Sequence, residues 1–164
     1  MYATLHRTVG ATTDDPDPAL RLHQIGGPVT LTVRLTPERP ADPTAFEVRS
    51  DCGLTEPAGV ATAAQVLTFS GPISEAADEA AEWAGRERIA PAMDGHPGGV
   101  RLLTLWQPEL RRKILITLAT SLESLEEAGR KISSLPLLPG EDVALLPGPD
   151  HVEFFRVEFF RVES

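Results

Sequence analysis

Two kinds of hydrophobic pattern divide the chain. In residues 1–61, short runs alternate apolar and polar residues with the period of two that half-buried strands show. Two of these runs are clear, at 29–35 (VTLTVRL) and 45–49 (AFEVR), and 2–9 is a weaker candidate. Turn-forming residues separate the runs, and no stretch has the length and period of a helix. We therefore predict a β-rich N-terminal segment over residues 1–61.

From residue 62 the pattern changes to strands interspersed with helices. A strand at 65–69 is followed by Ser74, a good N-cap, and by acidic residues where the helix dipole favours them. The spacing predicts a helix from about 75 to 89, ended by Pro91, with alanines on one face and Trp83 widening the apolar stripe. The abundance of alanine indicates close packing against a sheet.

The rest of this region predicts a second set of the same elements. Strands are expected at 100–106 and 113–119 as an antiparallel hairpin, and a helix should begin at 120–123 (TSLE), which has the form of a capping box. A final strand is expected at 152–157. The order β-α-β-β-α-β predicts an α+β fold over residues 62–157, a ferredoxin-like antiparallel sheet with two helices on one face.

The last predicted strand belongs to a short tandem repeat, because VEFFR at 152–156 recurs at 157–161. Five is an odd number, so Phe154 and Phe159 would face opposite sides of an unbroken strand. This argument predicts that only the first copy fits the sheet. Residues 158–164 would then be a strand extension or tail that pairs with a partner subunit or with the N-terminal strands.

Several segments in this order, VLTFSGPIS, GGVRLLTLW, RKILITLATSLESLEEAGRKI and EDVALLPGPDHVEFFRV, resemble the antibiotic-biosynthesis-monooxygenase-like family of dimeric α+β barrels. The resemblance covers residues 62–157, and it implies that residues 1–61 are a reduced copy of the same unit without its helices. The family includes cofactor-independent oxygenases of aromatic polyketides, haem-degrading enzymes and proteins with no assigned reaction.

This resemblance implies an accessory enzyme of polyketide-like specialised metabolism, a cofactor-free oxygenase, cyclase or isomerase that acts on a hydrophobic polycyclic molecule. The chain departs from the polyketide oxygenases, since it has no Asn, its only tyrosine is Tyr2, and Ala119 or Thr120 stands where the third strand usually carries an aromatic residue. These departures favour the alternative of a non-catalytic ligand-binding or assembly protein on the same fold.

Five residues are candidates for a site. His96 and Trp106 are the candidate catalytic residues: His96, in a Gly/Pro-rich loop, as a general base, and Trp106 as the wall of a pocket between helices and sheet with His96 at its mouth. Trp83, Arg101 and His151 are candidate substrate-binding residues. Each also has a structural interpretation: a surface histidine, a core tryptophan or a solvated arginine. Arg101 and Trp106 are five positions apart, so they should lie on opposite sheet faces.

Composition and charge exclude several classes of partner and cofactor. The net charge of −9, with no basic run longer than 111–113, argues against nucleic acid. No window is apolar enough for a membrane span, and the N-terminus lacks a secretory pattern, so a cytoplasmic protein is expected. Cys52 is the only cysteine, and no histidine has a ligand at helical spacing. Neither a metal nor a cofactor is therefore expected.

A homodimer is also predicted. The expected strands are apolar on both faces, as Leu103, Leu105, Ile114 and Leu115 together illustrate, while two helices cover only one face. A second chain would cover the other face, unless residues 1–61 do so within one chain.

Overall fold

A computed structural model describes residues 1–10, 18–54 and 59–161. Within these ranges, eight antiparallel strands form a closed barrel in the order β1-β3-β2-β8-β5-β7-β6-β4, and β4 pairs back onto β1. The strands are β1 Tyr2–Val9, β2 Leu20–Gln24, β3 Val29–Thr36, β4 Phe46–Gly53, β5 Ala63–Phe69, β6 Gly99–Gln107, β7 Arg112–Ala119 and β8 His151–Phe160. The helices are α1 Glu75–Ala84, a π-helical segment Gly85–Ile89, α2 Ala90–Met93, α3 Leu122–Ser134 and a 3-10 turn Val143–Leu145.

The ferredoxin-like arrangement is present, but as part of a larger sheet. Strands β5 to β8 lie in the order β8-β5-β7-β6, with the helical segments after β5 and β7. Strands β1 to β4 lie in the matching order β4-β1-β3-β2. The α+β class and the antiparallel sheet are thus confirmed, whereas the sheet closes into an eight-stranded barrel. It is continuous across the predicted segment boundaries, because β2 pairs with β8 and β4 with β6.

The barrel interior is filled by apolar side chains from all eight strands. In β3, Leu31 and Val33 are fully buried in this core, while the alternate residues Thr30 and Thr32 lie on the other face. Ile114 and Leu105 of the C-terminal half also belong to the core. The N-terminal strands therefore cover the sheet face for which a second chain was expected. The apolar face that led to the prediction of a homodimer is thus covered within one chain, which is the alternative that the sequence analysis left open.

Three local features differ from the sequence expectations. Strand β2 was not predicted. The helical segment does not end before Pro91, because the π-helical segment Gly85–Ile89 leads into a new short helix, α2, and Pro91 lies in its first turn. At α3 the N-cap is Ser121, which accepts a hydrogen bond from Ser124 N at 3.1 Å, one residue later than the predicted box. Ser74 caps α1 as predicted.

The first VEFFR copy and the second copy up to Phe160 lie in β8, so the prediction that only the first copy fits the sheet is wrong. Leu22 pairs with Val157 and Arg21 with Phe159, which leaves Glu158 as the extra residue of a β-bulge. The bulge restores the alternation, and the second phenylalanine of each copy, Phe155 and Phe160, packs against the core. The second copy pairs with β2 of the same chain, one of the two alternatives that the sequence left open.

No helix of the described ranges is long and apolar enough to cross a membrane.

Candidate functional site

Trp106 lies beneath α1, on the outer face of the sheet. It is 5% exposed, and the Arg49 guanidinium carbon stacks 4.1 Å from its ring centroid. Arg111 and Lys113 lie 5.3 and 5.9 Å from the same centroid. Cations over an indole face are attracted by its quadrupole, so these side chains hold the ring in place. They also fill the space where the sequence predicted a pocket.

Asp78 of α1 is the counter-ion of this cluster. It accepts hydrogen bonds from Arg49 Nη1 at 2.8 and 3.0 Å and from Lys113 Nζ at 2.5 Å. Arg49 also bonds Glu82 at 2.9 Å. Burial acts to raise the pKa of Asp78, but the hydrogen bonds and charges of Lys113 and Arg49 outweigh it and hold the pKa below its usual value. The arrangement is a satisfied structural cluster around Trp106.

Arg101 lies on the other face of β6, as its spacing from Trp106 predicted. Its guanidinium forms a bidentate ion pair with Asp51, with both contacts at 2.5 Å, and lies 5.2 Å from the ring centroid of Phe160. Phe160 packs against the barrel core. Arg101 therefore closes one end of the barrel interior and does not face the helices.

The other three candidates lie apart from Trp106. His96 is half-buried in the loop before β6, where its amide donates to Met93 O, and its Nε2 has no partner among the described residues. About 23 Å of strand separates Gly99, at the start of β6, from Trp106. His151 is exposed at the start of β8, and Trp83 is 37% exposed on α1.

The predicted pair of His96 and Trp106 is thus not brought together, and the five candidates do not converge on one pocket. Their individual roles stay predictions.

A groove beside α3 is a further candidate for a binding site. A shallow groove of about 670 Å³ runs between α3 and the sheet. Phe154 of β8 and Gln65 of β5, which are direct neighbours across the two strands, form its floor together with Leu125 of α3. Its remaining lining residues come from two adjacent stripes of α3: Glu126, Gly129, Arg130, Ser133 and Ser134. The floor is largely apolar and the rim is polar, which is the usual composition of a small-molecule site.

Small residues of α3 create this groove. Leu125, Gly129 and Ser133 follow at i, i+4 and i+8, so they share the stripe of the helix that borders the floor. Leu125 is 3% exposed and packs against the sheet, whereas the two residues after it on the stripe are too small to fill the gap. The sequence signal for this groove was Gly129 inside the predicted helix, four residues before the small Ser133, and the sequence analysis missed it.

The described residues contain no group of three or more His, Cys, Asp or Glu side chains that could hold a metal ion. The titratable side chains that line the groove are Glu126 and Arg130, four residues apart on α3.

Comparison with known proteins found similar structures but no similar sequences. No family model matches, and no curated protein matches. Among solved structures, the chain is similar to a major regulator of staphylococcal pathogenesis, with a TM-score of 0.62, 8% identity and coverage of 99% of this chain and 100% of the other.

Two further structures are similar. One is a haem-degrading enzyme from Listeria monocytogenes, with a TM-score of 0.60, 8% identity and coverage of 95% and 99%. The other is an uncharacterised ferredoxin-fold protein from Listeria monocytogenes related to antibiotic biosynthesis monooxygenases, with a TM-score of 0.60, 10% identity and coverage of 98% and 96%. At these identities the likeness concerns the fold alone. The resemblance to monooxygenase-like ferredoxin-fold proteins is confirmed at that level.

Proposed function

We propose that this protein binds a hydrophobic small molecule in the groove between α3 and the sheet, and that it acts as a non-catalytic ligand-binding protein. The observation that carries the proposal is the composition of the groove. Phe154 and Leu125 offer an apolar surface, while Gln65 and the serines of α3 supply hydrogen-bonding groups at its margin. A volume of about 670 Å³ is in the range of small-molecule sites.

Gly129 supports the proposal independently. A glycine inside a helix costs about 1 kcal/mol relative to alanine. A Cβ atom built on Gly129 would meet nothing within 4 Å, so no close packing within the described structure requires glycine there. Since Gly129 lines the groove, the absent side chain leaves room for a ligand against the helix backbone.

The test is a fluorescence titration with N-phenyl-1-naphthylamine, an uncharged apolar probe. Gly129→Leu should raise the dissociation constant at least tenfold, because the new side chain would extend into the groove. Glu127→Leu is the matched control: Glu127 also lies in α3, is exposed, and does not line the groove. Equal affinity of the two variants, or no binding by the parent protein, would overturn the proposal.

A second candidate is the enzyme that the family resemblance implies, a cofactor-independent oxygenase, cyclase or isomerase of polyketide-like metabolism. The observation in its favour is the fold shared with a haem-degrading enzyme and a monooxygenase-related protein. Such a reaction needs a base beside the ligand, and Glu126 is the carboxylate that lines the groove. Mass spectrometry of the protein from its native host should identify a co-purifying molecule. Oxygen consumption with that molecule, abolished by Glu126→Gln, would favour the enzyme over the binding protein.

A further inference from the structure

The helical segment 75–93 is attached to the barrel in an unusual way. Across α1, the π-helical segment and α2, the buried residues are Asp78 and Ala84. Helices normally dock through a stripe of large apolar side chains, but here Trp83 is 37% exposed and one buried side chain is a carboxylate. The larger apolar residues Ile89 and Met93 are only half-buried, so burial of apolar surface contributes less here than in a helix docked through such a stripe.

Charged groups hold it instead. Asp78 bonds Arg49 of β4 and Lys113 of β7, as described above. Further along, Arg88 pairs with Glu141 at 2.8 Å, and these side chains are 12% and 2% exposed. Ion pairs at this depth are sensitive to loss of one partner and, where water reaches them, to salt. A segment held in this way can open at a lower free-energy cost than the apolar barrel beneath it.

The C-terminal end of the segment permits such a movement. Gly95 follows the segment with φ of 70° and has nothing within 4 Å of an added Cβ, whereas Gly71, which precedes it, packs against Arg111 O. Residues at element ends that tolerate unusual φ values are typical hinge positions. The segment is also interrupted by the π-helical turn at 85–89, an irregularity that often marks functional positions in helices.

The sheet surface under the segment continues the floor of the groove. Leu102 of β6, Thr117 of β7, Gln65 and Phe154 are successive cross-strand neighbours on one face. Trp106 lies four residues beyond Leu102 on that same face of β6. The groove floor and the surface around Trp106 are thus two parts of one sheet face, separated by α3, which packs through Leu125 on Ala63 of β5 and Ala119 of β7. The first part is open to solvent, and the second is covered by α1.

We propose that residues 75–93 form a lid which opens as a unit while the barrel stays folded, and that opening uncovers the sheet face around Trp106. The ligand part of this inference rests on the proposed function, whereas the opening itself does not. A hydrophobic ligand would then have the uncovered face as a second apolar surface, on the other side of α3 from the groove.

The experiment uses the two tryptophans. Trp83→Phe leaves Trp106 as the single tryptophan, and acrylamide quenching then measures the accessibility of the covered face. Adding Asp78→Asn should raise the quenching constant at least threefold, with an unchanged far-UV circular dichroism spectrum. Raising NaCl from 0.1 to 1 M should raise it in the Trp83→Phe protein as well, which keeps the test valid if the double variant does not fold.

Glu153→Gln in the Trp83→Phe protein is the matched control, because it breaks an ion pair of the barrel strands that does not involve the lid. Quenching that rises equally in this control, or that responds neither to Asp78→Asn nor to salt, would overturn the lid. With N-phenyl-1-naphthylamine, Asp78→Asn should change affinity at least threefold. Increased quenching with unchanged affinity would overturn the link between lid opening and ligand binding. An absence of probe binding to the parent protein would overturn the proposed function, and the quenching result would then decide the lid by itself.

Discussion

Replacing Phe160 by alanine tests whether the second VEFFR copy closes the barrel. Phe160 is half-buried against the core, opposite Leu20, and its ring lies 5.2 Å from the Arg101 guanidinium. Truncating a fully buried phenylalanine costs about 3–5 kcal/mol, so a half-buried one should cost about 2 kcal/mol. Loss of the cation–π contact adds about 0.5–1 kcal/mol. We therefore expect a decrease of about 2–3 kcal/mol in the free energy of unfolding.

Urea denaturation followed by far-UV circular dichroism measures this decrease, and the melting temperature should fall by roughly 5–10 °C. Two variants of the same strand bracket the result. Phe155→Ala removes a ring that is 0% exposed and should cost more, about 4 kcal/mol. Val152→Ala removes a side chain that is 50% exposed and should cost less than about 1 kcal/mol.

Deletions then examine the bulge itself. Removing Glu158 alone leaves Val157 opposite Leu22 and Phe160 opposite Leu20, so stability should change by less than about 1 kcal/mol. Removing Glu158 together with the next residue puts Phe160 directly after Val157, on the wrong face, and should cost as much as Phe160→Ala. The reasoning is refuted if Phe160→Ala is neutral, or if deletion of Glu158 alone is as costly as the double deletion.

Three further predictions concern charge and mass. The hydrogen bond from Arg7 lowers the pKa of Glu153 below 4.5. The stabilisation that this pair gives the folded protein is therefore complete above pH 4.5 and is lost as the pH falls through the lowered pKa. Glu153→Gln should flatten the dependence of stability on pH in this range, as urea midpoints from pH 3 to 7 would show. Asp78→Ala should lower the free energy of unfolding by about 3 kcal/mol, because it leaves the Lys113 ammonium buried without its partner. Lys113→Met should lower it by less than about 1.5 kcal/mol, since Asp78 keeps its hydrogen bonds with Arg49. Urea titrations that reverse this order would contradict the assigned cluster. Because the barrel closes within one chain, light scattering should give 17.7 kDa, and twice that mass would support a homodimer formed through another surface.

Local patterns were enough to predict most elements of the C-terminal half. The run of apolar and β-branched residues at 113–119 and the N-cap at Ser74 depend on neighbours along the chain, so they can be recognised without knowledge of the fold. The same applies to the opposite orientations of Arg101 and Trp106, which follow from the alternation of a single strand. Strand β2 was missed because its sequence, LRLHQ, contains none of the β-branched or large aromatic residues that favour strands.

The candidate site could not be predicted in the same way. Trp106 was interpreted as the wall of a pocket, but Arg49, 57 positions earlier in the chain, occupies the space above its ring. The groove likewise depends on how α3 lies over Phe154, and only the small size of Gly129 hinted at it. Both features arise from contacts between distant segments, and hydrophobic periodicity contains no information about which segments meet.

By itself, then, the sequence determined the α+β class, the alternation of strands and helices after residue 62, and a β-rich segment before it. Only the tertiary structure decided that these two parts close into one barrel, because closure depends on the pairing of β2 with β8 and of β4 with β6. The tertiary structure also decided how the second VEFFR copy fits into the sheet. Alternation assumes an unbroken strand, and the bulge at Glu158 forms because Leu22 and Leu20 of β2 both need an apolar partner on the inner face.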